Sequence, residues 1–323
     1  FPPLIDSDDI SYFFSTYDID GLHWALTNIF HRSARNPNNN KKELPQTLVA
    51  RGGGDTYTTE YKLKHDLEQA RYLVKQLEHS EPEISKYFAS QVIPIYERVL
   101  QNVPPLPELE RTKGLYAITK EDFAIGIGNV YNKALYMTTA DKLDPGWRTT
   151  NALLNSEIDW DGIQRDWFGE SENAQIDSTT PKEAATASIP GVLIIDDLLT
   201  PQTLSLLRQL LLKNTHWFQT KTPLEFGKYV GSYIDDGLND PIFLELAKQL
   251  HQNMPRVMKG HHLRYLWAYK YDSEWESGIN LHADQAAVNV NMWLSLEGAD
   301  LEEEEYGGGL VVFTTKPPSS WDF

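Results

Sequence analysis

The stretch INLHADQAAVNVNMWLS, residues 279–295, places a histidine and a carboxylate one residue apart ahead of alternating apolar and polar positions. Such alternation predicts a β-strand. In an extended chain, residues i and i+2 point to the same side, so His282 and Asp284 are expected to direct an imidazole nitrogen and a carboxylate oxygen at one point. A borderline metal ion suits this pair of ligands.

The sequence on both sides of this stretch predicts further strands and two helices. LRYLWAYKY (263–271) and GGGLVVFTT (307–315) read as strands, and GVLIIDDLLT (191–200) reads as a buried strand. Thr200–Pro201 and Asp240–Pro241 are start signals for helices, because the first residue of each pair can cap a helix and proline suits its first turn. Helices that precede strands predict an α+β unit, or a barrel with supporting helices.

The first half of the chain carries helical periodicity instead. One apolar stripe recurs at steps of three and four residues, and it consists of Leu63, Leu67, Ala70, Val74 and Leu77. Residues 83–100 predict a second helix, which Pro94 should kink or interrupt, and residues 18–32 predict a third. These segments predict an antiparallel helical domain that is similar to tetratricopeptide-type arrays, although no fixed-period repeat is present.

A polar, small-residue segment separates the two halves. Residues 169–188 have the composition of a linker or exposed loop. The predicted organisation is therefore an all-α helical domain over residues 1–168, this linker, and a second domain over residues 189–323.

Composition excludes several classes of protein. A net charge of −17, from 46 acidic and 29 basic residues, would repel a phosphate backbone and argues against nucleic acid as a partner. No apolar run is long enough for a membrane span, so we expect a soluble protein with no membrane partner. The chain has no cysteine, which excludes disulfides and thiolate metal sites and leaves the compartment undetermined. The oligomeric state is equally open.

The order of the segments around His282 resembles that of the iron(II)/2-oxoglutarate-dependent oxygenases, in the branch that is similar to prolyl hydroxylases. A strand with a Lys-Tyr pair and a short loop lead to His-x-Asp in KYDSEWESGINLHAD (270–284). The apolar strand VNVNMWLS (288–295) and the acidic loop and glycines of LEEEEYGGGLVVF (301–313) follow in the same order. The resemblance covers about residues 190–323.

This resemblance implies a fold and a set of site residues. The second domain would be a double-stranded β-helix, that is, a jelly roll with flanking helices. His282 and Asp284 would bind Fe(II), and Tyr271 would contact the carboxylate of the cosubstrate 2-oxoglutarate. Asn289 and Asn291 alternate with valines, and Asn291 is a candidate for cosubstrate binding if the pleat directs it inward. The implied reaction is hydroxylation of a C–H bond in a small-molecule or peptidyl substrate, since a carboxylate at position 284 argues against halogenation.

One departure from the family pattern is the third iron ligand. No histidine follows His282, and Lys316 is the only basic residue after Asp284. His261 and His262 precede a predicted strand and are weak substitutes, while His65 is interpreted as a surface or interhelix histidine.

Three explanations stay open for the missing ligand. The chain stops before the barrel closes, a distal ligand comes from elsewhere, or the oxygenase domain is degenerate and binds without catalysing. We expect the first, with the domain incomplete at its C-terminus. The alternative function is a non-catalytic binding or scaffold protein.

Overall fold

The computed structural model describes residues 57–149, 152–170, 190–220, 222–271, 284, 286–295 and 312. Within them the chain is a mixture of helices and short antiparallel strands. The α-helices are α1 Glu60–Leu77, α2 Pro82–Tyr87, α3 Ile93–Leu100, α4 Lys120–Ile125, α5 Ile127–Val130, α6 Ala140–Leu143, α7 Trp160–Trp167, α8 Pro201–Lys213, α9 Pro223–Phe226, α10 Pro241–Asn253 and α11 Pro255–Met258. The strands are β1 Tyr57–Thr58, β2 Tyr116–Ala117, β3 Gln219–Thr220, β4 Tyr229–Tyr233 and β5 Trp267–Tyr271.

Helix α1 confirms the first predicted apolar stripe. The hydroxyl of Thr59 caps the helix by accepting a hydrogen bond from the Lys62 N–H at 3.0 Å. Four of the five stripe residues are buried, whereas Val74 is partly buried and its neighbour Leu73 is fully buried instead. This face packs on α2 and α3 in the core of the first half.

The predicted interruption at Pro94 is also confirmed. Helix α2 ends at Tyr87, a π-helical turn spans Phe88–Val92, and α3 starts at Ile93. Proline has no N–H to donate to the preceding turn and crowds its carbonyl, so a widened turn accommodates the residue. Phe88 and Val92 from this turn remain buried against α1.

The first half is not purely helical, contrary to the prediction of an all-α domain. Strands β1 and β2 pair antiparallel, with Tyr57 opposite Ala117 and Thr58 opposite Tyr116. Each strand has only two residues, too short for periodicity in the sequence to reveal.

Both predicted helix starts in the second half are present. Thr200 caps α8 by accepting from the Thr203 N–H at 3.2 Å, and Asp240 caps α10 by accepting from the Ile242 N–H at 3.1 Å. These helices share a core with the segment that precedes the predicted linker. Its buried members are Ala140, Trp147, Leu153, Leu154, Leu206, Leu207, Leu210, Ile242, Leu246 and Leu250.

Strands β3, β4 and β5 form an antiparallel sheet in which β4 is central. The predicted strand at 263–271 is thus confirmed in its last five residues. Within the described part of the chain, the sheets stay open and no closed barrel is found, so the jelly roll remains a prediction.

Two other predicted strands are wrong in the residues that the structure describes. Residues 191–200 are irregular apart from one bridge, between Leu199 and Leu154, and Ile194 is 89% exposed. Residues 286–295 are irregular as well. Their apolar side chains Met292 and Leu294 pack on the core around α8 and α10, so the alternation serves contact with helices rather than a strand ladder.

The remaining organisational predictions lie outside the described residues. They are the helix at 18–32, nearly all of the linker at 169–188 and, except for Val312, the strand at 307–315. None of the helices in the described part of the chain has the length and apolar character of a membrane span.

Candidate functional site

Strand β5 has two faces with different chemistry. Because side chains alternate along a strand, Trp267, Tyr269 and Tyr271 lie on one face, while Ala268 and Lys270 lie on the other. The first face carries the tyrosine that the sequence singled out. The second is directed at the helical half.

The face that carries Tyr271 is aromatic. The ring of Tyr229, directly across from Tyr271 on β4, lies 5.3 Å from the ring of Tyr271 and 5.0 Å from that of Tyr269. Gly231 makes this packing possible, because a Cβ there would come within 2.9 Å of ring carbons of Tyr269. Tyr229 is buried, but Tyr271 is 47% exposed, so the aromatic face opens to solvent at the end of β5.

Tyr271 is suited to donate a hydrogen bond. Burial raises the pKa of its phenol above the ordinary value of 10.0. The hydroxyl therefore keeps its proton at neutral pH, when a carboxylate ligand would be ionised.

Asp284 and Asn291, two further predicted site residues, lie on the irregular segment after β5. Asp284 is exposed, and the side-chain amide of Asn289 donates a hydrogen bond to its Oδ2 atom. The structure thus joins Asp284 to Asn289. Asn291 is exposed, and its role at a cosubstrate site stays a prediction, whereas His282 lies outside the described residues.

The two weak substitutes for a third ligand lie on the surface. His261 and His262 are both exposed, and the ring of His262 stacks on that of His251 with centroids 6.1 Å apart. Burial and the neighbouring His262 lower the pKa of His251. Among the residues that the structure describes, no three His, Asp or Glu side chains are grouped to hold a metal ion.

The opposite face of β5 holds Lys270 in an enclosed setting. Its ammonium lies 3.3 Å from His65 Nε2, 3.5 Å from Gln69 Oε1 and 4.2 Å from the centroid of the Trp217 ring. The Tyr61 hydroxyl also donates to the backbone carbonyl of Lys270 at 3.3 Å. The residue as a whole keeps some solvent exposure, but the ammonium itself is the enclosed part, and burial lowers its pKa to about 7.

Polar side chains of α1 continue from Lys270 into the helical half. Asp66 forms an ion pair with Lys62, lies 3.0 Å from His65 Nδ1 through its Oδ1, and accepts from the Tyr96 hydroxyl at 3.1 Å. Burial would raise the pKa of Asp66, but Lys62 and His65 outweigh it and lower the pKa overall. Burial and Lys270 lower the pKa of His65 to about 4, so His65 is neutral at pH 7.

A small cavity lies beside these α1 side chains. Its volume of about 20 Å³ is room for one water molecule and too little for a metabolite. Its polar lining residues are Lys62, Asp66, Gln69, Tyr96, Asn132 and Thr215. This space completes a polar cluster rather than forming a substrate pocket.

Sequence reasoning missed this cluster around Lys270. The interpretation of His65 as a surface or interhelix residue is wrong, since the side chain is buried between α1 and β5. One signal was available: Lys62, His65, Asp66 and Gln69 recur at helical spacing on the side that carries the apolar stripe. Polar residues at such positions need buried partners, but the sequence does not say which.

Comparison of the chain with protein families, with curated proteins and with solved structures finds no match.

Proposed function

We propose that this chain is an iron(II)/2-oxoglutarate-dependent dioxygenase that hydroxylates a C–H bond of a small-molecule or peptidyl substrate. Residues 189–323 would then belong to a jelly-roll domain, the double-stranded β-helix. The observation that carries the proposal is the order of Lys270–Tyr271, His282 and Asp284 along the chain, followed by an apolar segment and a glycine-rich one.

The side chains of His282 and Asp284 are chemically suited to bind iron(II). An imidazole nitrogen and a carboxylate oxygen are donors that iron(II) accepts in two-histidine, one-carboxylate sites. Bound iron would supply the oxidising chemistry, with 2-oxoglutarate and O₂ as cosubstrates. The third ligand is not among the residues that follow His282 in this chain.

The protein's own residues would hold and orient the cosubstrate. The protonated Tyr271 hydroxyl would donate to a carboxylate of 2-oxoglutarate. Asn289 donates to Asp284 and would fix the orientation of that carboxylate. The rings of Tyr229 and Tyr269 line the same sheet face and would keep water from one side of the site.

Anaerobic titration with Fe(II) and 2-oxoglutarate tests this proposal. We expect a visible metal-to-ligand charge-transfer band in the wild-type protein and its loss in the His282→Ala and Asp284→Ala variants. Asp161→Ala, at an exposed aspartate on α7, is the matched control and should retain the band. A band of unchanged intensity in Asp284→Ala would refute the ligand assignment.

The missing distal histidine favours a second candidate function. In that case the chain is a non-catalytic binding or scaffold protein with a degenerate oxygenase domain. The same titration separates the two when it uses the longest natural form of the protein, because a degenerate domain gives no band even there.

A further inference from the structure

The contacts of Lys270 join β5 to the helical half through neutral groups. Its ammonium meets an imidazole, an amide oxygen and an indole ring, from His65, Gln69 and Trp217. Among the described residues no carboxylate forms an ion pair with Lys270, because Asp66 is engaged by Lys62, His65 and Tyr96. A cation enclosed in this way is unfavourable compared with a neutral amine.

The charged and titratable groups around Lys270 come from two elements. Helix α1 contributes Lys62, His65 and Asp66, and the segment after α8 contributes His216, which is 1% exposed. With both lysines protonated, the cluster holds two cations against one carboxylate. With Lys270 neutral, the charges of Lys62 and Asp66 balance.

The hydrogen-bond geometry accommodates the neutral amine. When His65 donates its Nδ1–H to Asp66, the Nε2 atom is left with a lone pair that faces Lys270. The amine can then donate to His65 and to the Gln69 oxygen at the same time. Gln69 itself is fixed, since its amide donates to the carbonyls of Leu212 and Asn214.

We propose that Lys270 is a proton-controlled clamp between α1 and β5, and that its charge state controls how firmly the strand that carries Tyr271 is held. The neutral amine fastens the strand to His65 and Gln69. Protonation encloses a cation that has no carboxylate partner among the described residues, and the cost of burying that charge weakens the docking of the strand. The clamp itself does not depend on the proposed oxygenase activity.

The direction of the pH dependence follows from the pKa of Lys270. Burial, together with Lys62, lowers this pKa to about 7 from 10.5, while Asp66 opposes the shift. Between these two values the unfolded chain binds a proton that the folded chain has released, so folding becomes more favourable as pH rises. One such proton changes the folding equilibrium by up to tenfold per pH unit, or about fiftyfold between pH 7 and 9.

Other titratable groups define the pH range in which the titration of Lys270 can be separated from theirs. Burial and Lys270 lower the pKa values of His65 and His216 to about 4 and about 3, so both are neutral throughout pH 7 to 9. Burial raises the pKa values of Tyr229 and Tyr269, so folding weakens again above about pH 10, where an unfolded tyrosine ionises. Burial also lowers the pKa of Lys62, against the opposing effect of Asp66, and a variant is therefore needed to assign the effect to Lys270.

Urea unfolding of the full chain at pH 7 and at pH 9 provides the test. We expect the wild-type folding equilibrium constant to rise about fiftyfold over this interval. Lys270→Met, which keeps the length and removes the charge, should reduce that rise strongly and be more stable than the wild type at pH 7. Lys75→Met, an exposed position on α1, is the control and should behave like the wild type. A Lys270→Met variant with the wild-type pH dependence would overturn the proposal.

A second measurement covers the case in which Lys270→Met does not fold. In the folded wild-type protein, NMR titration of ¹³C-labelled lysine side chains should place the midpoint of the assigned Lys270 signal near pH 7. If every lysine titrates above pH 9, the clamp does not exist.

The effect on Tyr271 rests on the proposed function and has its own readout. The affinity for 2-oxoglutarate should increase between pH 7 and 9 in the wild type and change less in Lys270→Met. A protein that binds no 2-oxoglutarate at either pH contradicts the proposed function alone, because the unfolding data still decide the clamp. A protein that binds 2-oxoglutarate with the same pH dependence in both forms contradicts the positioning role.

Discussion

At the scale of single residues, two enclosed charges in the described part of the chain are satisfied in different ways. Asp122 is fully buried and accepts hydrogen bonds from Tyr116, Asn102 and both the backbone and the hydroxyl of Thr119. Burial alone would raise the pKa of Asp122, but these hydrogen bonds outweigh burial and lower it. Among the described residues, the hydrogen-bond partners of the Lys270 side chain are neutral, and burial lowers the pKa of its ammonium.

Replacement of Asp122 with alanine should therefore be strongly destabilising. The change leaves the buried Tyr116 hydroxyl and the partly buried donors of Asn102 and Thr119 without their acceptor, and it removes the capping box of α4, so we expect the free energy of unfolding to fall by about 3 kcal/mol. Urea unfolding at pH 7 measures this, with the exposed Asp161→Ala as the control. Because the folded pKa is depressed, the contribution of Asp122 is complete above pH 3.8 and is lost as pH falls through the folded pKa. A loss below 1 kcal/mol would contradict this account.

At the scale of elements, local signals predict the longer helices and β5, but neither the short helices nor the packing partners of irregular segments. A few neighbouring residues are enough to predict each of these features: the apolar stripe of α1, the interruption at Pro94 and the caps at Thr200 and Asp240. Residues 286–295 alternate between apolar and polar side chains like a strand. Whether such a segment pairs with another strand depends on residues far away in the sequence.

The candidate site divides in the same way. Tyr271 and Asp284 are predicted as site residues because they lie in a recognisable local order. The contact between Lys270 and His65 joins residues that are 205 positions apart in sequence, so no local sequence pattern predicts it.

The two predicted helix caps should differ in how much each contributes to the free energy of unfolding. In the described part of the chain the Thr200 hydroxyl contacts only Thr203 of α8, so Thr200→Ala should lower the free energy of unfolding by about 1 kcal/mol. Asp240 caps α10 with Oδ1 and accepts from the buried Ala140 N–H with Oδ2 at 2.9 Å, so Asp240→Ala should cost about 2 to 3 kcal/mol. Chemical denaturation of both variants tests the ranking, with Thr200→Ser as the conservative control. Equal losses would show that the bond to Ala140 contributes nothing.

At the scale of the whole molecule, polar contacts and a shared core connect the segments on either side of residues 169–188. The Tyr136 N–H donates to the Thr215 hydroxyl at 2.8 Å, and the Thr138 N–H donates to Asn214 Oδ1 at 2.7 Å. The core around α8 and α10 includes Trp147 from the first half. If residues 169–188 mark a true domain boundary, the two halves should unfold separately. If the shared core dominates, they should unfold together.

A cavity introduced by mutation into this shared core tests whether the two halves unfold together. Leu207 on α8 is 1% exposed and belongs to the core that also contains residues from α6 to Leu154. Leu207→Ala should lower the free energy of unfolding by about 3 kcal/mol through lost burial and the cavity left behind. Leu212→Ala, on the same helix but 44% exposed, is the matched control and should cost under about 1 kcal/mol.

Because the core draws on both halves, the destabilisation should not stay in one of them. Helical circular dichroism and tryptophan fluorescence should give coincident transitions in Leu207→Ala, both shifted to lower denaturant. Hydrogen exchange of the α1 amides, far from Leu207 in sequence, should accelerate as well, since global unfolding governs the most protected amides. Two separate transitions, with α1 exchange unchanged, would instead indicate that the segments on the two sides of residues 169–188 are independent folding units, and that their shared contacts add little to the stability of either.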